Sequence, residues 1–310
     1  PAAPRQWLPS SLEPAGFPLI LIPLSLSYLR RRHYNPSTPV FHLTPPLLLA
    51  SSVIGIISGF DNFLYSYGLN FIPVSTSSVL IAAQLAFTAI FAFFIVKQKF
   101  TPFSVNAVAL LTVGAAMLAL HASGDRPAGV SAAGYWKGFV LTVGAAVLYG
   151  LMLPLVELAF DMAVRETVTF TVLMEVQFVM GFFATGFCAI GMVFNKDFQA
   201  IPREAAEYGL GETKYYLVLM AAVIFFQCFF VGALGVISCA NTLLAGIIIA
   251  ALIPVIEVLA FIFLHEKFSS EKGVALVLSL WGLASYSYGE YTQLKQKKKE
   301  QQTTPALTVI

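Results

Sequence analysis

Charge is the first thing this chain is short of. Asp, Glu, Lys and Arg make up 11% of its 310 residues, against about 25% in a soluble domain. Water is therefore excluded as the main solvent. The net charge of +2 is small, and the basic residues sit in loops and at the tail rather than in a patch interleaved with aromatics, so nucleic acid is not an expected partner. Cysteine is scarce too. Cys188, Cys228 and Cys239 lie in or beside apolar runs without metal-ligand or disulfide-framework spacing, which leaves them as small apolar side chains. The four histidines, His33, His42, His121 and His265, fall at span ends or in loops and form no cluster with carboxylates; a lipid-processing membrane enzyme therefore has little to build on. There is no Walker A sequence, dinucleotide fingerprint or His-Glu-x-x-His, which argues against an ATP-driven pump and a metalloprotease. No cofactor is called for.

What is present is apolar. Hydrophobic residues make up 58% of the chain and the mean hydropathy is +0.79. A helix crosses the hydrocarbon core with about 20 apolar residues, and nine stretches come near that length: 12–29, 46–71, 74–96, 104–121, 135–160, 167–194, 214–236, 239–264 and 273–292. The expected class is an all-α, multi-pass integral membrane protein. The first stretch is interrupted by Pro14, Pro18 and Pro23, which a membrane helix tolerates when neighbours satisfy the freed carbonyls. The clusters Arg30-Arg31-Arg32 and Lys297-Lys298-Lys299 are separated by an even number of spans and are expected to share the cytosolic face.

A shift of 168 residues lays Gln98-Lys99-Phe100-Thr101 on Glu266-Lys267-Phe268-Ser269 and aligns Gly114 with Gly282. Spans 74–96 and 104–121 thus resemble 239–264 and 273–292. An interval of five spans between equivalents implies inverted orientation, as in repeat-built transporters. The expected organisation is a first half over 1–121 with four spans, a connecting loop over 122–134, a second half over 135–292 with five spans, and a basic cytosolic tail over 293–310. A first helix is expected to be absent.

A charged side chain at bilayer depth costs at least about 2.5 kcal/mol on insertion scales, so it faces a partner or a wet cavity. Asp61 and Asn62 lie about 4 Å from the middle of their span by helical rise, and Gln84, Tyr149 and Gln227 are close to the middle of theirs. Glu175 and Gln177 lie further off centre. Asn62, Tyr65, Gln84, Tyr149, Gln177 and Gln227 are the candidate substrate-binding residues. Amides bond a ring edge and tyrosines stack on its face; the plainer reading of any one amide is a hydrogen bond joining two helices. Asp61 and Glu175 are the candidate proton-coupling residues, because desolvation favours a carboxyl's neutral form and lets it exchange protons. Glu13, Glu157 and Glu290 are expected near the interfaces, in contact with water. No Lys or Arg lies in the central part of any span, so a neutral or cationic substrate fits better than an anion, which calls for such a clamp.

Several separated strings carry a family likeness over nearly the whole chain. They include Asp61-Asn62-Phe63-Leu64-Tyr65-Ser66-Tyr67-Gly68, Gln84-Leu85-Ala86-Phe87, Gln98-Lys99-Phe100-Thr101-Pro102, Met174-Glu175-Val176-Gln177, Asn195-Lys196-Asp197-Phe198, Ile253-Pro254-Val255-Ile256-Glu257-Val258 and Leu280-Trp281-Gly282. In order and spacing the chain resembles a plant purine permease, a branch of the drug/metabolite transporter superfamily. The resemblance implies a ten-helix fold of two inverted five-helix repeats around a central cavity. It also implies proton-coupled uptake of adenine, cytokinins or related heterocycles, including some alkaloids, at the plasma membrane. The partners it implies are a small heterocyclic solute, protons and the lipid bilayer. The alternative within the same superfamily is an exporter of amphipathic drugs or alkaloids. The chain begins shortly before what resembles the family's second helix.

Overall fold

A computed structural model describes residues 7–37, 39–72, 84–122, 130–163, 169–264 and 270–303. Residues 74–83 of the third expected span, most of the connecting loop, the loop at 265–269 and the tail from 304 onward lie outside the described residues.

All regular structure among the described residues is helical, as the long apolar runs require. The first expected span is broken. Trp7–Leu12 forms α1, a 3-10 turn covers Phe17–Ile20, and α2 runs over Leu21–Tyr34. Then follow α3 (Pro45–Gly68), α4 (Gln84–Ile95), α5 (Pro102–Ala122), α6 (Ala132–Ala163) and α7 (Phe170–Asn195). A short α8 (Ile201–Glu207) leads to α9 (Glu212–Cys239), α10 (Thr242–Leu264) and α11 (Ser270–Thr303). Five segments are long and apolar enough to cross a membrane: Trp7–Tyr34, Pro45–Gly68, Ala132–Asp161, Phe170–Asn195 and Glu212–Cys239. Gln84–Ile95, Pro102–Gly114 and Thr242–Leu252 are shorter apolar helices. Large apolar side chains such as Phe94, Phe194, Phe225 and Trp281 are exposed, as expected where lipid is the solvent. The molecule is a multi-pass integral membrane protein.

Helix α3 packs between α6 and α7, α6 lies against α4, α4 against α10, and α5 pairs with α11. Close approach at the α3–α7 crossing rests on Gly55, where an added Cβ would lie 2.5 Å from Met180 O. Two apolar clusters result. One joins Leu47 and Ile54 of α3 to Met152, Val156, Leu173 and Ile237; the other joins Leu85, Leu111, Ile247 and Tyr286.

Glutamate side chains fasten two helix starts. Glu175 Oε2 accepts from His42 N at 2.7 Å and Leu43 N at 3.0 Å, just ahead of α3. Glu157 Oε2 accepts from Thr242 N at 2.7 Å, while the Thr242 hydroxyl donates to Leu153 O at 3.1 Å. Free N–H groups at a helix start welcome a negative charge. Glu157, expected in contact with water near an interface, is thus half-buried and held in a bond that joins α6 to α10.

Candidate functional site

Asp61, Asn62 and Tyr65 fall within one turn of α3, and the turn spacing sets them on one face. That face lines a cavity of ≈ 320 Å³ together with Glu13, Gln84 and Tyr149. Its apolar wall is Phe226, Phe229 and Phe230 of α9 with Ile249 and Leu252 of α10. Larger hollows of ≈ 490 Å³ at Asn106 and Trp281 and of ≈ 400 Å³ at Phe93 and Phe100 are lined by no carboxyl group among the described residues. The cavity at Asp61 gathers carboxyl, amide and phenol groups in one apolar enclosure, the composition of a small-molecule site.

Two polar atoms of its lining side chains are buried and have no hydrogen-bond partner among the described residues: Asp61 Oδ1, on a side chain 5% exposed, and Gln84 Nε2, on one 2% exposed. Leaving such groups unpaired costs about 1–3 kcal/mol each, so a partner reaching either atom beside the cavity would be stabilising. Asn62 is engaged. With its nitrogen facing the acceptors, as the hydrogen-bond network requires, its amide donates to Glu13 Oε2 at 2.9 Å and to Ser58 O at 3.2 Å. Gly150, beside Tyr149, lets α6 come close to α4: a Cβ there would lie 2.9 Å from Thr88 N and 3.1 Å from Gln84 O. Among the described residues no Lys, Arg or His belongs to the cavity lining. Among the described residues no group of His, Cys, Asp and Glu is placed to hold a metal ion.

The structure brings Asp61, Asn62, Tyr65, Gln84 and Tyr149 together, and the other nominated residues elsewhere. Gln177 Nε2 donates to Gln227 Oε1 at 3.5 Å, and Gln227 Nε2 donates to Glu13 O and Pro14 O, both at 3.4 Å. Gln177 borders a smaller void of ≈ 40 Å³, which shares Tyr149 and Phe230 with the main cavity. Glu175, 1% exposed, holds the backbone ahead of α3 and has His42 Nδ1 3.5 Å from its Oε1. It does not line the cavity.

Sequence reasoning missed Glu13 and the α9 phenylalanines. Counted from residue 12, Glu13 falls at the water interface. In the structure α1 precedes it, so it lies inside the first span and faces the cavity. The signal lay in Glu13-Pro14-Ala15-Gly16, an acidic residue followed by two helix breakers within an apolar run.

The sequence profile of a family described by purine nucleobase transmembrane transport matches residues 2–298. The chain belongs to the plant purine permease family. It is 50% identical over 301 residues to purine permease 3 of Arabidopsis thaliana, a match covering 96% of this chain and 86% of that protein. With purine permease 2 of the same plant it shares 49% identity, covering 96% of this chain and 87% of the relative. A solved crystal structure superposes with a TM-score of 0.64 at 16% identity, covering 92% of this chain and 89% of its own. At that identity the likeness speaks for the fold alone. Members of the purine permease family are transporters and not enzymes, in keeping with a cavity that offers recognition groups rather than a nucleophile paired with a base.

Proposed function

We propose that this permease carries purine-type heterocycles such as adenine and cytokinins, with related alkaloids, in symport with protons across the plasma membrane. The observation that carries this reading is the pair of unpartnered buried atoms, Asp61 Oδ1 and Gln84 Nε2, in a cavity walled by aromatic rings. An aminopurine edge sets an N–H donor beside a ring-nitrogen acceptor, the chemical complement of this acceptor and donor. Tyr65 and Tyr149, with the phenylalanines of α9, supply faces for the ring. Asn62 orients the Glu13 carboxyl, and Gln177 with Gln227 holds the chain break beside it. Asp61 carries the coupled proton. Glu175, the other carboxyl considered for that task, is engaged with backbone N–H groups away from the cavity.

The reading includes nine spans arranged as inverted repeats, a four-span half over 1–121 and a five-span half over 135–292, with the loop 122–134 between them and the basic tail 293–310 in the cytosol. The likeness of 74–121 to 239–292 supports it.

Asp61→Asn in sealed proteoliposomes is the decisive test. Asparagine keeps the shape and cannot titrate, so accumulation of labelled adenine driven by an acidic exterior is expected to disappear, while exchange at equal pH persists. A variant that still concentrates adenine with the parent's pH dependence would remove Asp61 from the coupling step. Outward pumping against the imposed gradient would instead support an exporter.

A further inference from the structure

The first span is interrupted at the level of the cavity. Helix α1 ends at Leu12, residues 13–16 form a turn, and regular helix resumes at Leu21. A broken helix inside a membrane leaves backbone groups to be satisfied, and it is tolerated where it is packed in protein or lines a cavity. Transporters place ions and substrates at such breaks. Here the exposed carbonyls are served by side chains from other spans. Gln227 Nε2 reaches Glu13 O and Pro14 O, and Cys188 Sγ lies 3.6 Å from Ser10 O. The Glu13 carboxyl opens onto the cavity and accepts the Asn62 amide at 2.9 Å, and Asn62 is the immediate neighbour of Asp61.

We propose that Glu13, presented by this break, is a second proton-carrying group of the site and works as a pair with Asp61 through Asn62. The inference rests on the reading of Asp61 as the coupling residue. Among the described residues the other titratable groups facing Glu13 are the Tyr149 phenol from α6 and the Cys188 thiol from α7; Gln84 from α4 and Gln227 from α9 are neutral. Among the described residues no basic side chain of the cavity lining balances the two carboxyl groups. Two acids in one desolvated space titrate as a pair. A charge on either carboxyl group disfavours a charge on the other, so the two hold the proton together. Asp61 Oδ1 stays free for the solute. The proton enters from the outer solution onto the pair and leaves to the opposite side with the carrier's change of face. No covalent bond is made or broken.

The test compares Glu13→Gln, Glu13→Asp and Asp61→Asn in the full chain, reading initial uptake of labelled adenine against external pH. Glutamine can still accept the Asn62 amide but carries no charge, so Asp61 gives up its proton more readily. The midpoint of the pH profile is expected to move to more acidic pH by about one unit or more, while Glu13→Asp keeps the parent midpoint. Binding of labelled adenine to purified protein over the same pH range gives the midpoint for a variant that binds without transporting. A Glu13→Gln midpoint equal to the parent's, or an equal displacement in Glu13→Asp, overturns the pair. If Asp61→Asn loses pH-driven accumulation while the Glu13→Gln midpoint stays put, the pair fails and Asp61 stands alone. If Asp61→Asn keeps normal pH dependence, the Asp61 reading fails first and the pair with it.

Discussion

Gln84 and Gln227 carry the same amide at comparable depth, yet their surroundings separate them. The Gln84 nitrogen has no hydrogen-bond partner in a cavity wall, whereas the Gln227 nitrogen is spent on the carbonyls of Glu13 and Pro14. Removing the first takes a donor from the solute; removing the second unties the break. Gln84→Leu is therefore expected to weaken adenine binding by about 1–3 kcal/mol with little change in the unfolding temperature in detergent. Gln227→Leu is expected to lower that temperature, and its affinity loss to follow from the displaced break. Equal affinity losses at unchanged stability would place both amides on the solute, as depth along the sequence alone suggests.

At the scale of elements, a carboxylate can do structural work that sequence position does not distinguish from proton carriage. Glu175 ties α7 to the start of α3 through two backbone N–H groups. Alanine there leaves both without an acceptor, at a cost of about 1–3 kcal/mol. Glutamine retains an acceptor oxygen. The expected outcome is a marked fall in detergent-unfolding temperature for Glu175→Ala, with Glu175→Gln folding well and accumulating adenine with normal pH dependence. Loss of pH-driven accumulation in a well-folded Glu175→Gln would transfer the coupling role to this residue. The same crossing limits volume at Gly55, since a methyl group there meets the α7 backbone 2.5 Å away at Met180 O and 2.9 Å at Met180 Cα. Backbone yields less readily than a side chain. Gly55→Ala is thus expected to destabilise the fold by about 1–3 kcal/mol, read as a reduced folded yield and a lower unfolding temperature.

At the scale of the whole molecule, α11 is 34 residues long, or about 51 Å by helical rise, against a hydrocarbon core of about 30 Å. Its Lys-rich end therefore projects beyond the core, as the Arg30-Arg31-Arg32 cluster does at the end of α2. Positive residues favour the cytosolic side. With Cys228 and Cys239 replaced by Ser, and Cys188 buried, an impermeant thiol reagent applied to intact cells is expected to label a cysteine placed at Gln199 and to spare one at Lys295. The reverse pattern would invert the orientation.

Composition and run length alone determined that this chain lives in a bilayer and that several carboxyl and amide side chains sit inside apolar runs, because the penalty for charge in hydrocarbon acts on each residue separately. Asp61, Asn62, Tyr65, Gln84 and Tyr149 were legible for that reason. The tertiary structure alone decided which of these groups meet, since that depends on partners far apart in the chain. Glu13 reaches Asn62 across 49 positions, and Glu175 finds His42 N across 133. Nothing local marks either pairing. A proline and a glycine after Glu13 signal a break, but only packing against α7 and α9 turns that break into a cavity wall, where Gln227 of α9 adds a donor to the Glu13 and Pro14 carbonyls.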